Sequence, residues 1–201
     1  MTEKLYKVLL DGKSCHGSNM EWSLPTKSKP GKWHKIELPL RQCVNGFHLT
    51  KDPSAWWKPG ATCYEVEVGG EALDYDTFNN KICVEKVRLI KPVTNDELIN
   101  LFNLHNFTDG EHEVKTGLVY ASGSASVTAY GSASVRASGS ASVTASDSAS
   151  VRAFGSASVT AYGSALISVR GNYSESVIVA LEEESVLVDY RSGKPITSTA
   201  S

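Results

Sequence analysis

The sequence predicts an α+β N-terminal domain followed by a narrow parallel β-solenoid (β-helix) with 16-residue coils, and three observations carry that expectation. Residues 1 to 112 hold all four Trp and all four Cys, whereas residues 121 to 168 repeat with a period of eight. Within each repeat the small apolar residues take every second place, as in Ala125, Val127 and Ala129, which is the spacing of a strand with one buried face. The last residue of each block alternates, at Thr128, Arg136, Thr144, Arg152 and Thr160, which doubles the structural period to sixteen. The expected divisions are a head domain over 1–112, solenoid repeats over 113–172, capping strands over 173–194 and a disordered tail over 195–201.

In the head, Leu5 to Leu10 reads as a buried strand, and Asp11 to Lys32, with Pro25 and Pro30, as a long polar stretch. Phe47 to Thr50 follows Gly46 as a short strand. Asp52 is placed to cap a short helix with Pro53 in its first turn, and Pro59-Gly60 ends it. Thr62 to Val68 alternates, which puts Tyr64, Val66 and Val68 inward, and Gly69-Gly70 supplies a turn before a strand over Lys81 to Ile90. Thr94-Asn-Asp-Glu97 is a capping box that opens a helix through Leu98, Ile99, Leu101 and Phe102. The sum is a mainly antiparallel sheet with little helix.

In the repeat, Ser-Ala-Ser-Val-Thr-Ala supplies about five extended residues, and Tyr-Gly-Ser or Ser-Gly-Ser a corner where glycine accepts positive φ. Asp147 takes the glycine's place at one corner, and Asp is among the few residues that tolerate it. Two short sheets facing each other across a thin core leave room for Ala and Val but not for Leu or Phe. A flexible Gly/Ser linker shares this composition, yet has no cause to keep the alternation in phase. Uncovered ends recruit other chains, so Ser176 to Leu181 and Ser185 to Tyr190 read as capping strands around Glu182-Glu183-Glu184, a solvated acidic turn that discourages end-to-end association. Outside, Thr128, Thr144 and Thr160 form one ladder, too sparse for an ice-binding array. Arg136 and Arg152, with outward Tyr130, Phe154 and Tyr162, form the expected interaction surface.

Composition narrows the function classes. Among 201 residues, 20 Lys+Arg stand against 22 Asp+Glu, so no overall field draws the chain to nucleic acid or an anionic membrane. The N-terminus lacks the order of a signal peptide, and no apolar run approaches the roughly 20 residues of a membrane span. The expectation is a soluble, cytoplasmic protein with reduced thiols. Cys15, Cys43, Cys63 and Cys83, with His16, His34 and His48, contain no CxxC or HxxxH pair, so no metal site is expected.

Leu5-Tyr-Lys-Val-Leu-Leu-Asp-Gly-Lys-Ser-Cys-His-Gly17, Glu21-Trp-Ser-Leu-Pro25, Pro30-Gly-Lys-Trp-His34 and Gly46-Phe-His-Leu-Thr50 with Trp56-Trp57-Lys-Pro-Gly60 resemble a family of uncharacterised bacteriophage and prophage proteins. In that family such a domain often precedes Ala/Ser/Val repeats, and no established activity comes with it. A remoter resemblance is to ADP-ribosyltransferases. His16-Gly17 after the first strand is similar to the His-Gly that holds the ribose and nicotinamide of NAD. Gly46-Phe47-His48-Leu49 followed by Trp56 or Trp57 is similar to the element that packs on nicotinamide, with His48 where Tyr is usual. The resemblance implies a catalytic set of His16, His48 and a glutamate, for which Glu67 is taken, since no surrounding motif separates it from Glu65, Glu71 or Glu85. Gly17, Trp56 and Trp57 would then hold the cofactor. A Cys15–His48 nucleophile pair has no orienting partner or oxyanion motif.

The leading expectation is therefore a phage-type intracellular binding protein without a cofactor, whose head recognises a host or phage protein and whose solenoid self-associates into a homo-oligomer. Its rival is an ADP-ribosyltransferase-like enzyme that uses NAD.

Overall fold

In the computed structural model, which describes residues 4–15, 20–171 and 176–200, the apolar run after Leu5 forms β1 (Tyr6–Leu10), which turns at Asp11-Gly12 into β2 (Lys13–Ser14). The polar stretch that follows is irregular up to β3 (His34–Lys35) and β4 (Phe47–Leu49). Asp52 caps a short 3-10 helix, Pro53–Trp56, by accepting the Ser54 N–H at 2.9 Å. A long hairpin of β5 (Thr62–Ala72) and β6 (Ile82–Pro92) completes an antiparallel sheet ordered β2-β1-β5-β6-β3, with β4 also on β6. Leu9, Trp22, Phe47, Leu49, Val84, Val87 and Leu89 are its buried core. The capping box forms as expected and opens α1 (Asn95–Phe102): Glu97 Oε2 accepts the Thr94 N–H at 2.9 Å while Thr94 Oγ1 accepts the Glu97 N–H at 3.2 Å.

Two expectations for the hairpin are corrected. Gly69-Gly70 is a bulge within β5, and the chain reverses later, between Leu73 and Lys81. Gly70 has φ +72°, and a Cβ there would lie 2.2 Å from Glu85 Oε2. That carboxylate accepts the Glu71 N–H at 2.8 Å, satisfying an amide that the bulge takes out of the ladder. Tyr64 and Val66 pack on the core, but Val68 is exposed, because the pairing of β1 along β5 ends at Glu65.

The second unit begins at Leu98. Its strands wind alternately into two parallel sheets: β7 (Leu104–Phe107), β8 (Glu111–Val114), β9 (Leu118–Ala121), β10 (Ser126–Ala129), β11 (Ser134–Ala137), β12 (Ser142–Ala145), β13 (Ser150–Ala153), β14 (Ser158–Ala161), β15 (Leu166–Val169), β16 (Ile178–Leu181) and β17 (Val186–Asp189). This is a parallel β-solenoid with 16-residue coils, Ser126 standing on Ser142 and Arg136 on Arg152. Ala125, Val127 and Ala129, and their equivalents in every block, are buried, and Ser and Thr alternate outward.

The ends differ from the repeat. The first coil lies upstream of residue 113, with Leu104 pairing Leu118, because unrepetitive segments follow the same path when their inward side chains fit. Ile167 is fully buried at a Val position, and Phe107, Leu181 and Leu187 pack half-buried against the same core near its ends, so it admits larger residues than the expected Ala and Val, Leu and Phe among them. The tail is also corrected: β18 (Ile196–Thr199) lies antiparallel on β17 and covers its edge. Asp147 takes φ +56° at its corner, as expected, and its Oδ2 accepts the Gly131 N–H at 3.1 Å. Glu183 repeats the device on the last coil at φ +57°, accepting the Gly163 N–H at 2.7 Å.

Candidate functional site

The head contains a cavity of about 570 Å³, in the range of small-ligand sites. Its walls come from sequence-distant pieces that β pairing draws together. Tyr6, Lys7 and Val8 come from β1, Cys15 and Trp22 from the polar stretch, Cys43 and Gly46 to Thr50 from β4 and its approach, Trp56 from the 3-10 helix and Lys81 from the start of β6. Gly46 is required for this closure: at φ +147°, a Cβ there would sit 2.0 Å from Cys83 Sγ.

Aromatic rings make much of the wall. Trp22 meets Phe47 edge-on at 5.6 Å and is held by its Nε1–H donating to Ser14 Oγ at 3.1 Å. Trp56 is fixed by its Nε1–H donating to the Asn80 carbonyl at 3.0 Å. The charge in the cavity is cationic. Lys7 Nζ donates to the His48 carbonyl at 3.0 Å and lies 5.0 Å from the centre of the Trp22 ring. Burial pushes its ammonium down to about 8. Lys81 Nζ donates to Cys43 Sγ at 3.0 Å and faces the Trp56 ring at 5.9 Å. Among the described residues no Asp or Glu lines the cavity.

The protonation states follow from the bonds. His48 Nε2 accepts the Cys43 backbone N–H at 3.0 Å, so the ring proton belongs on Nδ1 and Nε2 has no free lone pair for a substrate proton. Burial, then the nearby Lys7 and Lys81, hold the imidazole below its ordinary range and keep it neutral. Burial likewise pushes the Cys15 thiol up, against a thiolate nucleophile.

The structure therefore brings His48 and Trp56 together, with Cys15 beside them. Trp57 is buried outside the lining. Glu67 is exposed and held by Arg88, whose Nη2 lies 2.5 Å from its Oε2, so it takes no part in the cavity. Glu65 pairs with Lys4 and Glu85 with Lys35, likewise off the lining. His16 and Gly17 lie outside the described residues. Among the described residues no three His, Cys, Asp or Glu gather into a metal site, and all four cysteines are free. Lys7 and Lys81 are the residues that the sequence reading missed; the one signal for Lys7 is a cation set within an otherwise apolar strand.

In the solenoid, Arg136 and Arg152 stack on the outer face of one sheet, and Arg136 Nη1 donates to the Tyr120 hydroxyl one coil before at 2.7 Å. The expected patch is divided, however. Phe154 follows β13 and shares a corner column with Ser138, whereas Tyr130 and Tyr162 follow β10 and β14, at the opposite corner of the coil.

A family model described as "Domain of unknown function (DUF7666)" matches residues 4–101. The match ends one residue short of the end of α1 and leaves out the solenoid. No curated protein and no solved structure matches the chain. Among the described residues no helix is long and apolar enough to cross a membrane.

Proposed function

We propose that this protein acts by binding and not by turnover: the head holds its ligand in the cavity, and the solenoid is a stiff element through which copies associate. One observation carries the reading. The cavity sets two ammonium groups and several rings beside a neutral, already bonded imidazole and the thiols of Cys15 and Cys43, and no carboxylate among the described residues lines it. Lys7 is held by the His48 carbonyl and the Trp22 ring, an arrangement that suits an ammonium presented to an anionic ligand, whereas general acid–base chemistry also needs a partner of opposite role at the reacting atom. The proposal extends to an adaptor working in a host cytoplasm, which is what the resemblance of the sequence motifs to bacteriophage and prophage proteins implies.

The ADP-ribosyltransferase-like reading is favoured by a single point, the shared wall of His48 and Trp56. Its oxocarbenium-like transition state needs a carboxylate nearby. Incubation of the full chain with NAD separates the two. The expected result is no nicotinamide release above the uncatalysed rate, and release that His48→Ala abolishes would overturn the binding reading.

A further inference from the structure

We propose that the head cavity is a site for a small molecule that joins a planar ring system to an anionic group, the ring lying among Trp22, Phe47 and Trp56 and the anion on the ammonium of Lys7. The inference rests on the reading that the head binds its ligand here, and adds the ligand's chemical class. The ring half follows from the walls, whose flat, apolar surfaces gain most from a flat, apolar occupant. At about 570 Å³ there is room for a fused two-ring system and one substituent.

The anion half follows from charge. Among the described residues, the ionisable groups that share the cavity with Lys7 are Tyr6 beside it on β1, Cys15 from the polar stretch, Cys43 and His48 from β4 and its approach, and Lys81 just before β6, while Tyr64 pairs opposite it on β5. None of them is a carboxylate. Lys7 is half-buried and held by a neutral carbonyl and a ring face, so the wall draws an ammonium partly out of water and, among the described residues, gives it no counter-charge. A protein pays for such an arrangement where a ligand completes it. Lys81 adds to the same field, while a cationic or zwitterionic occupant would meet two like charges.

Two fluorescent dyes test this on the full chain: 8-anilinonaphthalene-1-sulfonate, which has the ring and the anion, and N-phenyl-1-naphthylamine, the same rings without the sulfonate. The sulfonate dye is expected to bind about tenfold or more tightly than the neutral one, the worth of one charge-assisted hydrogen bond. Lys7→Met is expected to remove most of that preference and to leave the neutral dye within about twofold. Lys7→Arg keeps the charge without depending on the mutant's tolerance of an uncharged side chain. It should hold the sulfonate dye at pH 9.5 as at pH 7, while the natural chain loses it, and thiol ionisation would weaken both proteins alike. Equal affinity for both dyes, or parallel loss in the natural chain and Lys7→Arg, overturns the anion assignment and leaves cavity binding standing. Failure of both dyes to bind overturns the assignment together with the reading beneath it.

Discussion

At the scale of residues, Lys7 is where function and stability oppose each other. Its ammonium titrates near 8 in the folded chain, below its ordinary 10.5, because burial disfavours the charged form. The folded state therefore holds fewer protons than the unfolded state between about pH 8 and 10.5, so this group's contribution to stability rises with pH across that window and is most adverse below it. The shift sets an upper bound of the order of 3 kcal/mol on the cost at neutral pH. Lys7→Met keeps the stem's packing and removes the charge, at the expense of the bond to the His48 carbonyl. Urea unfolding should show it about 1–2 kcal/mol more stable than the natural chain at pH 7, with the gain vanishing by pH 10.5. A variant less stable at pH 7 would mean that the ammonium is not buried at a cost. His48 acts with the same sign in a lower window: with its titration depressed, its share of stability falls as pH drops below the ordinary histidine range.

At the scale of elements, what was legible in the sequence is what is local in the chain. The sixteen-residue coil was legible because each block states its own alternation, and the corner at Asp147 because few side chains accept positive φ. The cavity was not, because Lys7 and His48 lie on two strands, and Lys81 just before a third, whose register is set by long-range pairing. His48 and Trp56 follow from a resemblance, whereas Glu67 fails because no motif singles out a glutamate and the alternation of β5 itself sets Glu67 on the outward face, where Arg88 holds it. Val68 fails for another reason, the missing neighbour beyond Glu65. The corners give a prediction of their own. The Asp147 carboxylate caps the Gly131 amide while its backbone bears the left-handed strain. Asp147→Asn keeps an acceptor and a tolerated backbone, so thermal unfolding should move little. Asp147→Val loses both and should cost about 2–3 kcal/mol. Equal loss in the two variants would mean that the corner's conformation carries no energy.

At the scale of the whole molecule, the solenoid's sheets end differently. β17 is covered by β18, but β16 is the last strand of its sheet among the described residues, and its outward Ile178 is 67% exposed where earlier coils place Ser126, Ser142 and Ser158. An open edge with an apolar side chain is a template for a further strand, and a second copy of β16 supplies one of matching length by antiparallel pairing about a two-fold axis. The shallow Ala and Val core strengthens the case, since a stack of this kind draws its stability from the continuity of its ladders. Light scattering on the full chain should then report about twice its 21.6 kDa. Ile178→Lys replaces the exposed apolar side chain of the open edge with a solvated ammonium and should return the monomer mass with the same circular dichroism. Removal of everything after Asn103, which leaves α1 and takes away every strand of the solenoid, should also give a monomer that still binds the sulfonate dye. A full chain that stays at monomer mass at high concentration would exclude self-association. If dimerisation instead survives in the truncated chain, the contact belongs to the head, where Phe78 is 95% exposed at the turn of the β5–β6 hairpin.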